Sequence, residues 1–175
     1  MAGPRRSREP KQPLGCHDRA LLLLAVRSRS RHELSSRLLR AGFEAEEVET
    51  ELSRLEEVGL VDDRAFARDL AEHELKVKLS SRRAVVSALV AKGVARGTIE
   101  RTLADQDGGE DEADRALAAA SDRARRLTRL APEVAFRRLV SFLARRGYDG
   151  GTARAAARAA LRVEGLDDRG CADGD

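Results

Sequence analysis

Leu38-Leu39-Arg40-Ala41-Gly42-Phe43 is the stretch that decides the fold, because the chain uses its pattern three times. Leu89-Val90-Ala91-Lys92-Gly93-Val94 and Leu143-Ala144-Arg145-Arg146-Gly147-Tyr148 repeat it as Leu-x-x-x-Gly-apolar, with glycine spacings of 51 and 54 residues. Working outward, Leu34, Val85 and Leu139 stand eight residues before each glycine. Val48, Ile99 and Ala153 stand six after it, and Leu52, Leu103 and Ala157 ten after it. Internal periodicity of this kind marks a repeat architecture.

The physics of one unit follows from those positions. Residues at −8 and −4 share one face of a helix. Gly42, Gly93 and Gly147 end that helix, since glycine enters the left-handed conformation without steric cost. The apolar residue after each glycine packs back on the last turn, and for Tyr148 base stacking is the alternative role. A further helix then presents +6 and +10 to the same core. Preceding helices are expected at about 18–28, 63–78 and 112–130, so each unit is three helices. No stretch alternates with period 2 long enough to claim a strand. Pro132 suits a first helical turn.

Local signals agree. Ser30 with Glu33 reads as a capping box, and Ser80 and Ser81 can cap the next helix. Asp62 and Asp63 stand side by side, which raises acid–base or metal chemistry. Their place before an apolar run instead predicts Asp62 as N-cap and Asp63 in a first turn favoured by the helix dipole. Val61 and Phe66 then form a hydrophobic staple. The fold class expected is all-α, a tandem array of helix–turn–helix-like repeats. The divisions expected are a basic arm without fixed structure over 1–16, repeats over 17–61, 62–104 and 113–162, an acidic linker over 105–112 and a tail without fixed structure over 163–175.

Composition supports helices: aromatics are 3% of the 175 residues and Trp is absent, whereas sandwiches and barrels draw on aromatic and β-branched residues. Net charge is only +3, so its distribution matters more. Residues 41–75 carry 12 acids against 3 arginines, and 104–122 carry 7 acids against Arg115. Residues 76–103 carry 7 Lys/Arg against Glu100, and 132–162 carry 7 Arg against 2 acids. Such blocks are either solvated helix faces or surfaces for a polyanion. With 29 Arg and 4 Lys, the arginine excess itself is not counted as a sign of phosphate recognition.

Catalytic signatures are missing. There is no GxxxxGK[ST], GxGxxG, HExxH or Gly-x-Ser-x-Gly in the sequence, and these are the patterns that cradle phosphate, hold zinc or present a nucleophile. His17, His32 and His73 are scattered, and His73-Glu74 reads as a surface pair. Cys16 and Cys171 read as tail thiols, neither a disulfide framework nor a metal site. Ala20–Val26 is too short to span a bilayer, and residues 1–15 lack the apolar run of a signal peptide. No enzyme, no cofactor, no metal, no membrane partner and a cytoplasmic monomer are expected.

Three segments together resemble the RecX family, regulators of the RecA recombinase: residues 28–70 (SRSRHELSSRLLRAGFEAEEVETELSRLEEVGLVDDRAFARDL), 82–103 (RRAVVSALVAKGVARGTIERTL) and 137–161 (RRLVSFLARRGYDGGTARAAARAAL). The resemblance implies tandem three-helix repeats in an elongated curved body. It implies binding in the groove of the RecA–single-stranded-DNA filament, with restraint of ATP hydrolysis, strand exchange and co-protease action in DNA-damage control. The chain departs from the family at the junction, where Lys78-Leu79-Ser80-Ser81 replaces a Gly-containing segment, and at Ser87 in place of a Glu. The third repeat is Ala-rich and is expected to be less stable than the first. Candidate contacts to DNA or RecA are Arg82, Arg83, Lys92 and Arg96 in the second repeat. In the third they are Arg123, Arg126, Arg137, Arg138, Arg145 and Arg146, with Arg123, Arg126 and Arg129 read as one helix face. The competing reading is a helix–turn–helix transcription regulator, which needs one basic recognition helix. A protein–protein adaptor is a third.

Overall fold

The computed structural model describes residues 14–106 and 111–162. Most of the expected arm, residues 107–110 of the expected linker, the tail and Cys171 lie outside them. The described chain contains nine α-helices and one π-helical turn, with no strand. Two compact units divide it, Met1–Asp63 and Arg64–Asp175.

The first unit holds α1 (Cys16–Val26), α2 (Arg31–Arg40) and α3 (Ala45–Glu57). Leu34 and Leu38 lie one turn apart on α2 and are fully buried with Val48, Leu52, Leu55 and Ala20. Ser30 caps α2, its Oγ accepting the Glu33 N–H at 3.1 Å. The Glu33 carboxylate pairs with Arg27, Arg29 and Arg37. Gly42, at φ +95°, ends α2. Its N–H donates to Leu39 O at 3.0 Å and the Phe43 N–H to Leu38 O at 3.4 Å. These two bonds are the Schellman pair.

The same pair recurs at the other two glycines. Gly93 N–H reaches Val90 O and Val94 N–H reaches Leu89 O; Gly147 N–H reaches Ala144 O and Tyr148 N–H reaches Leu143 O. Every residue predicted at −8, −4 and +6 is buried in all three copies, with Leu52 and Ala157 buried and Leu103 half-buried at +10.

The second unit holds α4 (Asp63–Glu72, all but its first residue), continued by a π-helical turn (His73–Val77), then α5 (Arg82–Ala91) and α6 (Arg96–Asp105). It also holds α7 (Glu112–Ala124), α8 (Pro132–Arg145) and α9 (Gly150–Leu161). Pro132 stands in the first turn of α8. Around α7–α9 the core is made of small residues: Ala116, Ala119, Ala120, Ala153, Ala156 and Ala157 are buried. Small side chains let helix backbones approach, so α9 packs on both α7 and α8.

Four expectations change. Cys16 is not a tail thiol: it opens α1 and is buried with Ala20, because helix position i+4 puts both on the core face. Burial, then Glu47 and Glu51, push its pKa up, so the thiol stays protonated. α7 stops at Ala124 instead of reaching 130, since a turn is needed to swing Leu127 into the core of α8 and α9. Arg123, Arg126 and Arg129 therefore do not share a helix face. Val61 is buried in the first core and Phe66 in the second, so each anchors its own cluster. Glu74, finally, is buried rather than on the surface.

Candidate interaction surfaces

The second and third repeats meet along a built junction. Ser81 Oγ caps α5 by accepting the Ala84 N–H at 3.2 Å. The Ser81 N–H donates to Arg146 O at 2.9 Å. The Tyr148 hydroxyl donates to Leu79 O at 2.8 Å, and the side chain is buried. Leu79 itself has φ +51°, a left-handed conformation that is costly for a side chain with a Cβ. Glu74 secures the loop from below: its carboxylate accepts from Lys78 Nζ at 2.6 Å and Ser80 Oγ at 2.9 Å. Burial works to raise the Glu74 pKa, but bonds from Lys78 and Ser80, with the charges of Lys78 and His73, hold it below the ordinary value.

Several predicted contact residues belong to this architecture. The Arg82 N–H, the first of α5, donates to Glu112 Oε1 at 3.2 Å, and its guanidinium to Leu103 O at 3.1 Å. Arg83 Nε donates to Gly147 O at 3.1 Å. In the first unit the same place is filled by Asp63: its Oδ1 accepts the Arg31 N–H, the first of α2, at 2.8 Å. Asp63 thus satisfies an orphan amide of another helix. Lys92 is half-buried at the end of α5, and Arg96 is exposed and pairs with Glu100 at 2.8 Å.

The third repeat divides its arginines. Arg137, Arg138 and Arg145 are exposed on α8. Arg123, Arg126 and Arg146 instead come together with Lys78 around Phe142, lining a groove of about 250 Å³. The Arg146 and Arg123 guanidiniums lie over the Phe142 ring, 4.6 and 5.6 Å from its centroid. Among the described residues Asp122 is the only carboxylate lining it, and it pairs with Arg125.

A second basic recess escaped the sequence reading. Arg64 and Arg68 on α4 face Thr98, Arg101 and Thr102 on α6 around about 240 Å³, with Asp105 at its edge. The i, i+4 spacing of Arg64 and Arg68 was the available signal, hidden because both fall within the acidic block 41–75. The first unit carries the opposite surface: Glu44, Glu46, Glu47 and Glu51 surround a shallow cleft at Cys16 and His17, with His17 Nδ1 2.7 Å from Glu51 Oε1. Among the described residues no group of three or more His, Cys, Asp or Glu can hold a metal ion, and no helix is long and apolar enough to cross a membrane.

These features define a class: an all-α helical-repeat protein with charged surfaces. The chain belongs to the RecX family. Residues 16–55 match the first three-helix domain of RecX and residues 110–157 the third. The regulatory protein RecX of Mycobacterium sp. (strain JLS) is 39% identical over 152 residues, covering 84% of this chain and 82% of the relative. That of Chlorobaculum tepidum is 34% identical, covering 84% of this chain and 89% of the relative. The crystal structure of RecX from Lactobacillus salivarius superposes with a TM-score of 0.63 at 15% identity, over 85% of this chain and 96% of that one. A second crystal structure of a regulatory protein RecX gives 0.64 at 22% identity, over 78% of this chain and 68% of that one. At those identities the structures speak for the fold.

Proposed function

We propose that this chain regulates the RecA recombinase by binding the RecA–single-stranded-DNA filament, and that it inhibits ATP hydrolysis, strand exchange and co-protease action there. The observation that carries the reading is its family membership across both the first and the third three-helix domains. The surfaces suit such a partner. A nucleoprotein filament offers DNA phosphates and a protein face, and the chain offers arginines on α7 and α8 and a carboxylate-rich first unit. The protein acts as a cytoplasmic monomer without cofactor, and Arg137, Arg138 and Arg145 contact the filament. Co-sedimentation with RecA filaments assembled on polythymidylate and a slowly hydrolysed ATP analogue tests this. Saturable binding that needs both RecA and DNA is expected. Equal binding to duplex DNA alone, with sequence preference, would replace the reading with a transcription regulator.

A further inference from the structure

The groove around Phe142 does more than collect charge. Its walls are fixed: Arg146 closes α8 and its carbonyl is bound by the Ser81 N–H at 2.9 Å, while Leu79 on the facing wall is held by the Tyr148 hydroxyl at 2.8 Å. The Phe142 ring holds two guanidinium planes by cation–π contact, which orders them before any ligand arrives. Lys78 is answered by Glu74 and Asp122 by Arg125. Among the described residues, Arg123, Arg126 and Arg146 have no carboxylate within ion-pair distance. Arg146 Nη1 is also buried and meets no hydrogen-bond acceptor there. A buried donor left unpaired is costly, so an anionic oxygen that reaches the Arg146 guanidinium relieves a cost that an open arginine does not carry.

We infer that this groove is a phosphate site that seats the backbone of single-stranded nucleic acid. At about 250 Å³ it falls below the ~300–1,000 Å³ that encloses a whole small ligand. It therefore takes one ionic group of a longer molecule. The three unpaired guanidiniums come from α7, the turn after it and the end of α8. Donors from three elements suit a tetrahedral phosphodiester, whereas the planar carboxylate of an acidic peptide is matched by a single fork. The site goes beyond the filament reading, because it needs no RecA and either can fail alone.

The experiment is fluorescence anisotropy of a labelled oligothymidylate with the full chain and no RecA, across a salt series. Arg146→Gln is expected to lower the slope of log affinity against log salt by about 0.7, the loss of one phosphate contact on a single strand. Arg146→Lys and Phe142→Leu leave net charge unchanged, and a surface acting only through charge ignores them. Here each weakens binding roughly three- to tenfold, the fold-change of a lost cation–π platform. Arg40→Lys on exposed α2 is expected to change nothing. Circular dichroism checks folding, and Arg146→Lys carries the test should Phe142→Leu unfold. Wild-type affinity in Arg146→Lys would overturn the site. So would displacement of the oligonucleotide by polyglutamate at equal charge, which would assign the groove to an acidic peptide. Retained inhibition of RecA ATPase by Arg146→Gln would leave the filament reading standing with this site removed from it.

Discussion

Gly147 and Gly42 end equivalent helices in equivalent conformations, yet alanine should cost far more at one than at the other. Gly42 has φ +95° and Gly147 φ +89°. A Cβ on Gly42 meets nothing within 4 Å. Gly42→Ala therefore isolates the left-handed penalty, about 1–2 kcal/mol. A Cβ on Gly147 would strike Ser81 Oγ, lie 2.8 Å from Ala84 Cβ and 3.1 Å from Ala84 N. Ser81 Oγ cannot turn aside without releasing its cap on α5, and Ala84 Cβ moves only with the α5 backbone. Overpacking adds about 1–3 kcal/mol, giving about 2–5 kcal/mol for Gly147→Ala. The two glycines belong to different units, so hydrogen-exchange mass spectrometry should read each opening free energy in its own segment. Gly147→Ala should also release protection at the Ser81 amide, which is bound by Arg146 O. A loss at Gly147 no larger than at Gly42 would refute the docking of the α8–α9 turn on α5.

Three further outcomes follow from the same packing. Leu79 sits at φ +51°, so Leu79→Gly should be more stable than Leu79→Ala by about 1 kcal/mol in urea unfolding, reversing the usual order of those residues. Glu74 has a folded pKa below its ordinary 4.5, so its stabilisation is fully present above that value and is lost as pH falls through the folded pKa. The stability gap between wild type and Glu74→Gln should accordingly be open at neutral pH and close in acid, and a gap independent of pH would contradict the bonds that Lys78 and Ser80 make to the Glu74 carboxylate. Ala153 is fully buried among the small residues of α7–α9, so Ala153→Val should cost about 1–3 kcal/mol in the same unfolding assay, with α9 losing exchange protection first.

The repeat was legible in the sequence because its physics is local. One glycine, two helix positions before it and two after fix a helix, its end and the face of the next helix. The meeting of repeats was not legible, because it depends on contacts far apart in the chain. Nothing near Arg83 points to the carbonyl of Gly147, 64 residues away. Arg123, Arg126 and Arg146 were picked from charge alone. Their convergence on Phe142 required the end of α7 at Ala124, and that end is set by the burial of Leu127. Arg64 and Arg68 were lost inside an acidic block, since a charge count over a window says nothing about the face a residue occupies. Of the acid pair at 62–63, Asp63 stands in the first turn of α4, and its carboxylate also serves the first amide of α2, a contact that the local sequence does not reveal.

The measurement that bears most directly on the central claim is single-stranded-DNA-dependent ATP hydrolysis by the cognate RecA, with this protein titrated in below stoichiometry. The account predicts inhibition, weakened when Arg137, Arg138 and Arg145 are replaced together by alanine. Unchanged hydrolysis at full stoichiometry, with the protein folded and the filaments assembled, would contradict it.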